Sequence, residues 1–152
     1  MDLVAIAEIS RLKYRYMRDV DTRQWDDLAE TLTPDVTADY GKDLHFDSRD
    51  ELIAHLSKVM SPRLISEHHL GNPEIDVADD GVHATGSWYL SDTVIVPKYD
   101  IMINGASIYS DEYVKGEDGW RISRTGYTRL YEYSVKISDM PSFKLMSGPY
   151  WA

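Results

Sequence analysis

The sequence has no cysteine, only two phenylalanines and no basic cluster, and each shortage removes a class of function. Without thiols there is neither the disulfide framework that staples small secreted folds nor a thiolate metal site. With 16 Lys and Arg against 26 Asp and Glu, the formal charge is −10. That sign opposes a phosphate backbone and an anionic lipid surface, so nucleic acid and membrane are poor partners. The opening stretch MDLVAIAEIS lacks a basic leader and carries Asp2 and Glu8 among its apolar residues, which fits neither a signal peptide nor a spanning helix. A cytoplasmic location is the resulting expectation. No repeat, low-complexity run or Pro/Gly-rich linker divides the chain, so a single domain over 1–152 is expected. A chain of this length buries about two-thirds of its unfolded surface.

What is abundant is the amphipathic aromatic, with eleven Tyr and four Trp. Such side chains bury area while keeping a hydrogen-bonding tip. That suits a pocket for a large, sparsely oxygenated ligand, and equally an oligomer interface.

Ile6, Ile9, Leu12, Tyr16 and Val20 recur at the spacing of one helical face, with Lys13, Arg15 and Arg18 placed elsewhere around it, which predicts a helix from Leu3 to Val20. Asp21 or Thr22 can cap a second short helix through Trp25, Leu28 and Leu32, ended by Pro34. Val36 to Tyr40 reads as a strand. Ser48 and Glu51 form a capping box ahead of a third helix that stops before Pro62. From Leu64 the period changes to two: strands are predicted over Ile65–Val77, Ala84–Val96, Ile101–Lys115 and Trp120–Val135. Three helices segregated from a long antiparallel meander predict an α+β fold, the helices packed on one face of a curved sheet around a cavity.

Tyr16 falls in the apolar register of the first helix and should point inward, as a site phenol or as an ordinary core tyrosine. Strand alternation puts His68 with Leu70 on the inner face and His69 outside, unless a bulge at Gly71 resets the parity, in which case His69 is the inward base. Neighbouring histidines on a strand diverge and no third ligand stands at a recognisable spacing, so no metal is expected. Asp92 shares a face with Trp88 and Leu90. A carboxylate there needs a partner, and an inward histidine whose tautomer it would fix is a natural one; a solvated strand end is the plainer alternative. Tyr40, Tyr127 and Arg129 could supply polar contacts to a ligand, or form a subunit contact.

Read together, several stretches resemble the SnoaL-like group of the nuclear-transport-factor-2-like superfamily, and within it the bile-acid 7α-dehydratases. These are Lys13 to Trp25 with Tyr16 and Asp21, Thr33-Pro34-Asp35 through Tyr40, and Ile65-Ser66-Glu67-His68 followed by Pro73-Glu74-Ile75. Ala84 through Asp92, Ile103-Asn104-Gly105-Ala106 and Thr125 through Arg129 complete the set. The sequence departs from the family at His69, where a hydrophobic residue is usual, and in the tail from Met140 to Ala152. The resemblance implies a fold of three N-terminal helices on a cone-shaped sheet, and a homotrimer. It implies catalytic Tyr16, His68 and Asp92, supported by Asp21, Tyr40 and Arg129; Trp88 and Tyr127 are further candidates for contact with the substrate, and chemistry of this kind needs no cofactor. The reaction implied is loss of the 7α-hydroxyl from a 3-oxo-4-ene steroid to give a 4,6-diene, with His68 as base oriented by Asp92. Alternatives on the same fold are a ketosteroid isomerase-like or polyketide-cyclase-like enzyme, and a non-catalytic binding or dimerisation module. The tail, ending in Tyr150 and Trp151, is a candidate pocket lid or subunit contact.

Overall fold

The computed structural model describes residues 1–60 and 63–149. Pro62, expected just beyond the third helix, and the Tyr150–Trp151 pair of the tail lie outside the described residues. Helix α1 spans Leu3–Thr22, its first turn capped by the Asp2 carboxylate, which accepts from the backbone N–H groups of Val4 and Ala5. It ends at Arg23, whose left-handed backbone (φ 60°) turns the chain into α2, Trp25–Glu30. Strands β1 (Leu32–Tyr40) and β2 (His45–Phe46) follow, then α3 (Arg49–Val59). Four long strands complete the fold: β3 (Ile65–Val77), β4 (His83–Val96), β5 (Ile101–Gly116) and β6 (Gly119–Lys136).

Two expectations are corrected here. The sheet is mixed rather than antiparallel, in the order β2-β1-β6-β5-β4-β3, because β1 enters beside β6 in parallel. Helix α3 follows β1 in the order expected, with the short β2 between them. Pro34 does not end a helix; it sits exposed in β1, where the pairing with β6 is irregular between Leu32 and Thr37 and no ladder N–H is needed. The sheet is curved, with register shifts in β3 between Gly71 and Glu74 and in the β5–β6 pairing beside Ser107 and Tyr113.

The core lies between the helices and one face of this sheet. Ile9, Leu12, Tyr16, Met17 and Val20 of α1 are buried, as are Trp88 and Leu90 of β4, Tyr109 and Tyr113 of β5, and Ile122 of β6. Each fully buried aliphatic side chain contributes about 1.5–3 kcal/mol. Alternation along β4 and β5 is strict, so Trp88, Leu90, Asp92, Gly105, Ser107, Tyr109, Asp111 and Tyr113 all take the helix side. No helix among the described residues is long and apolar enough to cross a membrane.

Candidate active site

Strand β3 is the last strand of the sheet, so its alternate N–H groups face no further strand. One of them belongs to His68, and it donates to Asp21 Oδ2 at 2.8 Å. Asp21 stands in the last turn of α1, and its other oxygen, Oδ1, accepts from the Ser66 hydroxyl at 2.8 Å and lies 2.6 Å from His68 Nδ1. An ionised carboxylate can only accept, so the proton of a neutral imidazole sits on Nδ1 and the lone pair on Nε2 is left as the base. Arg23 fixes the turn that delivers Asp21: its guanidinium donates to the carbonyls of Val20, Asp21 and Leu64 and to Ser66 Oγ. Both side chains of the dyad are mostly buried, at 16% and 18% exposure, which leaves the imidazole reachable. Asp21 and Thr22 therefore do not cap α2, whose N-cap is Gln24 with no side-chain capping bond.

Asp92 does not orient His68. The two are cross-strand partners, His68 opposite Asp92, but the Asp92 carboxylate turns the other way. Arg129 grips it with two parallel bonds, Nη1 to Oδ1 at 2.5 Å and Nη2 to Oδ2 at 3.0 Å. The physical reason is charge: the Asp92 side chain is only 2% exposed, and the guanidinium fork supplies a permanent countercharge that a neutral imidazole cannot. This bond holds the Arg129 pKa above its ordinary value, and Glu132 adds a second contact at 3.0 Å. Gly105 makes the arrangement fit. A Cβ there would stand 2.6 Å from Arg129 Nη1 and 3.1 Å from Asp92 Oδ1, so the guanidinium lies across a glycine because nothing larger leaves room.

Tyr16 is 1% exposed, and its hydroxyl bonds that of Tyr40. Tyr40 stacks on Tyr127 with centroids 5.3 Å apart, and Tyr127 packs against Tyr109 at 5.4 Å. Burial pushes the phenols of Tyr16, Tyr40 and Tyr109 well above their ordinary pKa, so they are hydrogen-bond donors rather than anions. Trp88 is fully buried and donates its indole N–H to the Tyr113 hydroxyl at 3.0 Å, as a core residue rather than an open wall. His69 is exposed on the opposite side of β3. Tyr127 and Arg129 also line a cleft of about 720 Å³ together with Asp39, Lys42, Ser110 and Arg124; Tyr16, His68 and Asp92 are not among its walls. Among the described residues no group of three or more His, Asp and Glu side chains converges to hold a metal ion.

Sequence reasoning missed the ion pair beneath these tyrosines. Lys13 is fully buried, with Nζ 2.8 Å from Asp111 Oδ2 and 3.3 Å from Thr125 Oγ1, and 4.0 Å from the centroid of the Tyr109 ring. Asp111 also accepts from Thr125 Oγ1 at 2.7 Å and Tyr113 Oη at 2.8 Å, so each of its oxygens is answered. Desolvation lowers the Lys13 pKa, opposed by Asp111. The signal was present: Ile9, Leu12, Lys13, Tyr16, Met17 and Val20 are one continuous helical stripe, and Asp111 shares parity with Tyr109 and Tyr113. Charge led Lys13 to be placed outside when its spacing put it within.

A family model described as a SnoaL-like domain matches residues 1–126. An uncharacterised protein of Mycobacterium tuberculosis strain H37Rv is 29% identical over 126 residues, which are 82% of this chain and 85% of that protein. Among solved structures, a provisionally named scytalone dehydratase from Novosphingobium aromaticivorans DSM 12444 superposes with a TM-score of 0.80 at 18% identity, covering 97% of this chain and 93% of the other. The LinA-type3 hexachlorocyclohexane dehydrochlorinase of Novosphingobium barchaimii LL02 gives 0.78 at 19% identity, covering 88% and 91%. At such identities the likeness to these structures is one of fold, an α+β fold.

Proposed function

Because the chain belongs to the SnoaL-like domain family, we propose that it is a lyase that eliminates water from a carbon acid without a cofactor, with His68 as the base. The observation that carries this reading is the setting of the imidazole: Asp21, 2.6 Å from Nδ1, leaves Nε2 unprotonated and aimed away from its anchor. General base catalysis of this kind is worth roughly 10²- to 10⁴-fold. Two of the structural neighbours are named for eliminations, a dehydratase and a dehydrochlorinase, which agrees with this reaction class.

The substrate we propose is a 7α-hydroxy-3-oxo-4-ene steroid or bile acid. Its 3-oxo group makes the C6 proton vinylogously acidic. His68 takes that proton, the C–H electron pair passes into a dienolate, and the electrons return to expel the 7α-hydroxyl as the 4,6-diene forms. The departing oxygen leaves as water, collecting its proton from the imidazolium, which returns His68 to its neutral form. One proton of the linked Tyr16 and Tyr40 hydroxyls is taken up by their mutual bond, and the other donates to the oxo oxygen as negative charge develops there, a contribution on the order of 3 kcal/mol. Asp92 and Arg129 hold the wall beside the base.

The test is incubation with a panel of 7α-hydroxy-3-oxo-4-ene steroids, followed by diene absorbance and by loss of one water in the mass spectrum. His68→Ala should abolish the diene in a folded protein. Absence of product from the native chain across the panel overturns the substrate. Turnover by His68→Ala at the native rate removes the base. A shifted double bond with unchanged mass would mean an isomerase. Complete burial of Trp88 and Tyr16 favours one other reading, a non-catalytic binding module; it requires ligand binding with no product from any variant.

A further inference from the structure

Ser107 is fully buried, and its hydroxyl has no hydrogen-bond partner. Native interiors rarely leave such a group unanswered, so an unanswered one calls for a partner: an ordered water, an ion or a ligand. The position of Ser107 says which ligand. It stands on the helix side of β5, cross-strand from Leu90 on one hand and Arg129 on the other. Along its own strand it lies between Gly105, beneath the Arg129–Asp92 pair, and Tyr109, which packs on Tyr127. His68 is one row further along and two strands away, since His68 pairs with Asp92 and Asp92 with Gly105. Strand spacing and rise put the two backbones roughly 12 Å apart. Arg129 is the neighbour. Its side chain starts opposite Ser107, runs over Gly105 to Asp92, and is 31% exposed.

We propose that Ser107 is a substrate-binding residue, its hydroxyl donating to the oxo oxygen of the bound ligand at the end of the site nearest Tyr109, with Arg129 shifting to admit it. This rests on the elimination reading above and deepens it, by adding a donor that no pattern in the sequence singles out. A hydroxyl is suited to the task because it is neutral: unlike Arg129 it stabilises a carbonyl without demanding a full countercharge in a buried setting.

The probe is a 3-oxo-4-ene steroid lacking the 7-hydroxyl, which binds and does not react, compared by calorimetry with the same steroid bearing a methylene at C3. Ser107→Ala should weaken binding of the 3-oxo steroid about tenfold, the cost of one lost neutral hydrogen bond, and leave the 3-methylene compound unchanged. Thermal unfolding of the unliganded variant should match the native chain or exceed it, because no partner is lost. Equal affinity of native and Ser107→Ala proteins for the 3-oxo steroid overturns the assignment and leaves the elimination reading standing. So does a lower unfolding temperature of the free variant, which would expose a structural bond. If the native chain binds neither steroid, the substrate reading falls and the role of Ser107 falls with it.

Discussion

Replacing Asp21 by Asn tests the His68 dyad at the level of single protons. An amide in place of the carboxylate carries one acceptor oxygen and one NH₂ group, and it has three donors to face: the backbone N–H of His68 on one side, the Ser66 hydroxyl and His68 Nδ1–H on the other. If the NH₂ met the backbone N–H, that donor would be stranded at a cost of about 1–3 kcal/mol. The opposite orientation satisfies both ends of the amide, because the Ser66 hydroxyl can rotate to accept and the imidazole can move its proton to Nε2. The second arrangement wins. Exchanging charge-assisted bonds for neutral ones in this mostly buried cluster costs about 2 kcal/mol, or about 4–8 °C in Tm for a chain of this size. The catalytic loss is far larger, since protonated Nε2 is no longer a base: a fall of about 10²- to 10⁴-fold in kcat is expected. Two assays separate these effects. Nitrogen-15 NMR of the imidazole should show the proton on Nδ1 in the native chain and on Nε2 in Asp21→Asn, and turnover of the steroid panel should collapse while the fold persists. An unchanged tautomer, or native turnover by the variant, refutes the reasoning.

Lys13→Met leaves Asp111 charged and buried, and should cost about 3–5 kcal/mol, a drop in Tm of about 6–20 °C by calorimetry. Gly105→Ala drives a methyl into Arg129 Nη1; it should destabilise by about 1–3 kcal/mol and reduce turnover, and the loss should be non-additive with Arg129→Ala in a double-mutant cycle by urea unfolding. Above pH 10 the stability should fall. The folded phenols of Tyr16, Tyr40, Tyr109 and Tyr113 ionise well above the unfolded value of 10.0, so the folded state retains protons that the unfolded state has released. Each contributes a slope of about 1.4 kcal/mol per pH unit. Lys13, whose folded pKa is lowered, acts in the opposite sense, but one ammonium is outweighed by four phenols. Denaturant unfolding at pH 9 and pH 11 measures the difference; equal stability at the two would contradict it.

The period-two stretches gave β3 to its last residue and β4 to β6 within one or two, because long strands that alternate faces write their burial directly into the sequence. The Ser48 cap of α3 was legible for the same local reason, and the Glu51 N–H does donate to the Ser48 hydroxyl at 3.3 Å. What could not be read was the choice among partners once elements meet. Alternation sets His68, Leu90 and Asp92 on one side of the sheet, yet it is blind to whether Asp92 turns to His68 or to Arg129, and to the arrival of Asp21 from a helix 47 residues earlier. Parallel pairing of β1 with β6 was invisible for a related reason: it depends on where α2 stops, and Pro34 reads as a helix breaker until the strand around it is known. Lys13 was legible by spacing and was lost to the habit of placing charge outside.

The outermost strand of a sheet is an open template on which a second chain can extend the ladder, and proteins blunt it by whatever lies to hand. Here part of the blunting is done by the Asp21 carboxylate, which occupies the outward N–H of His68. The dyad and part of the defence against fibril-like growth are thus held by the two oxygens of one carboxylate. Truncating residue 21 to a side chain with no acceptor would silence the base and unmask the seam together, so that turnover and colloidal solubility would be lost in step.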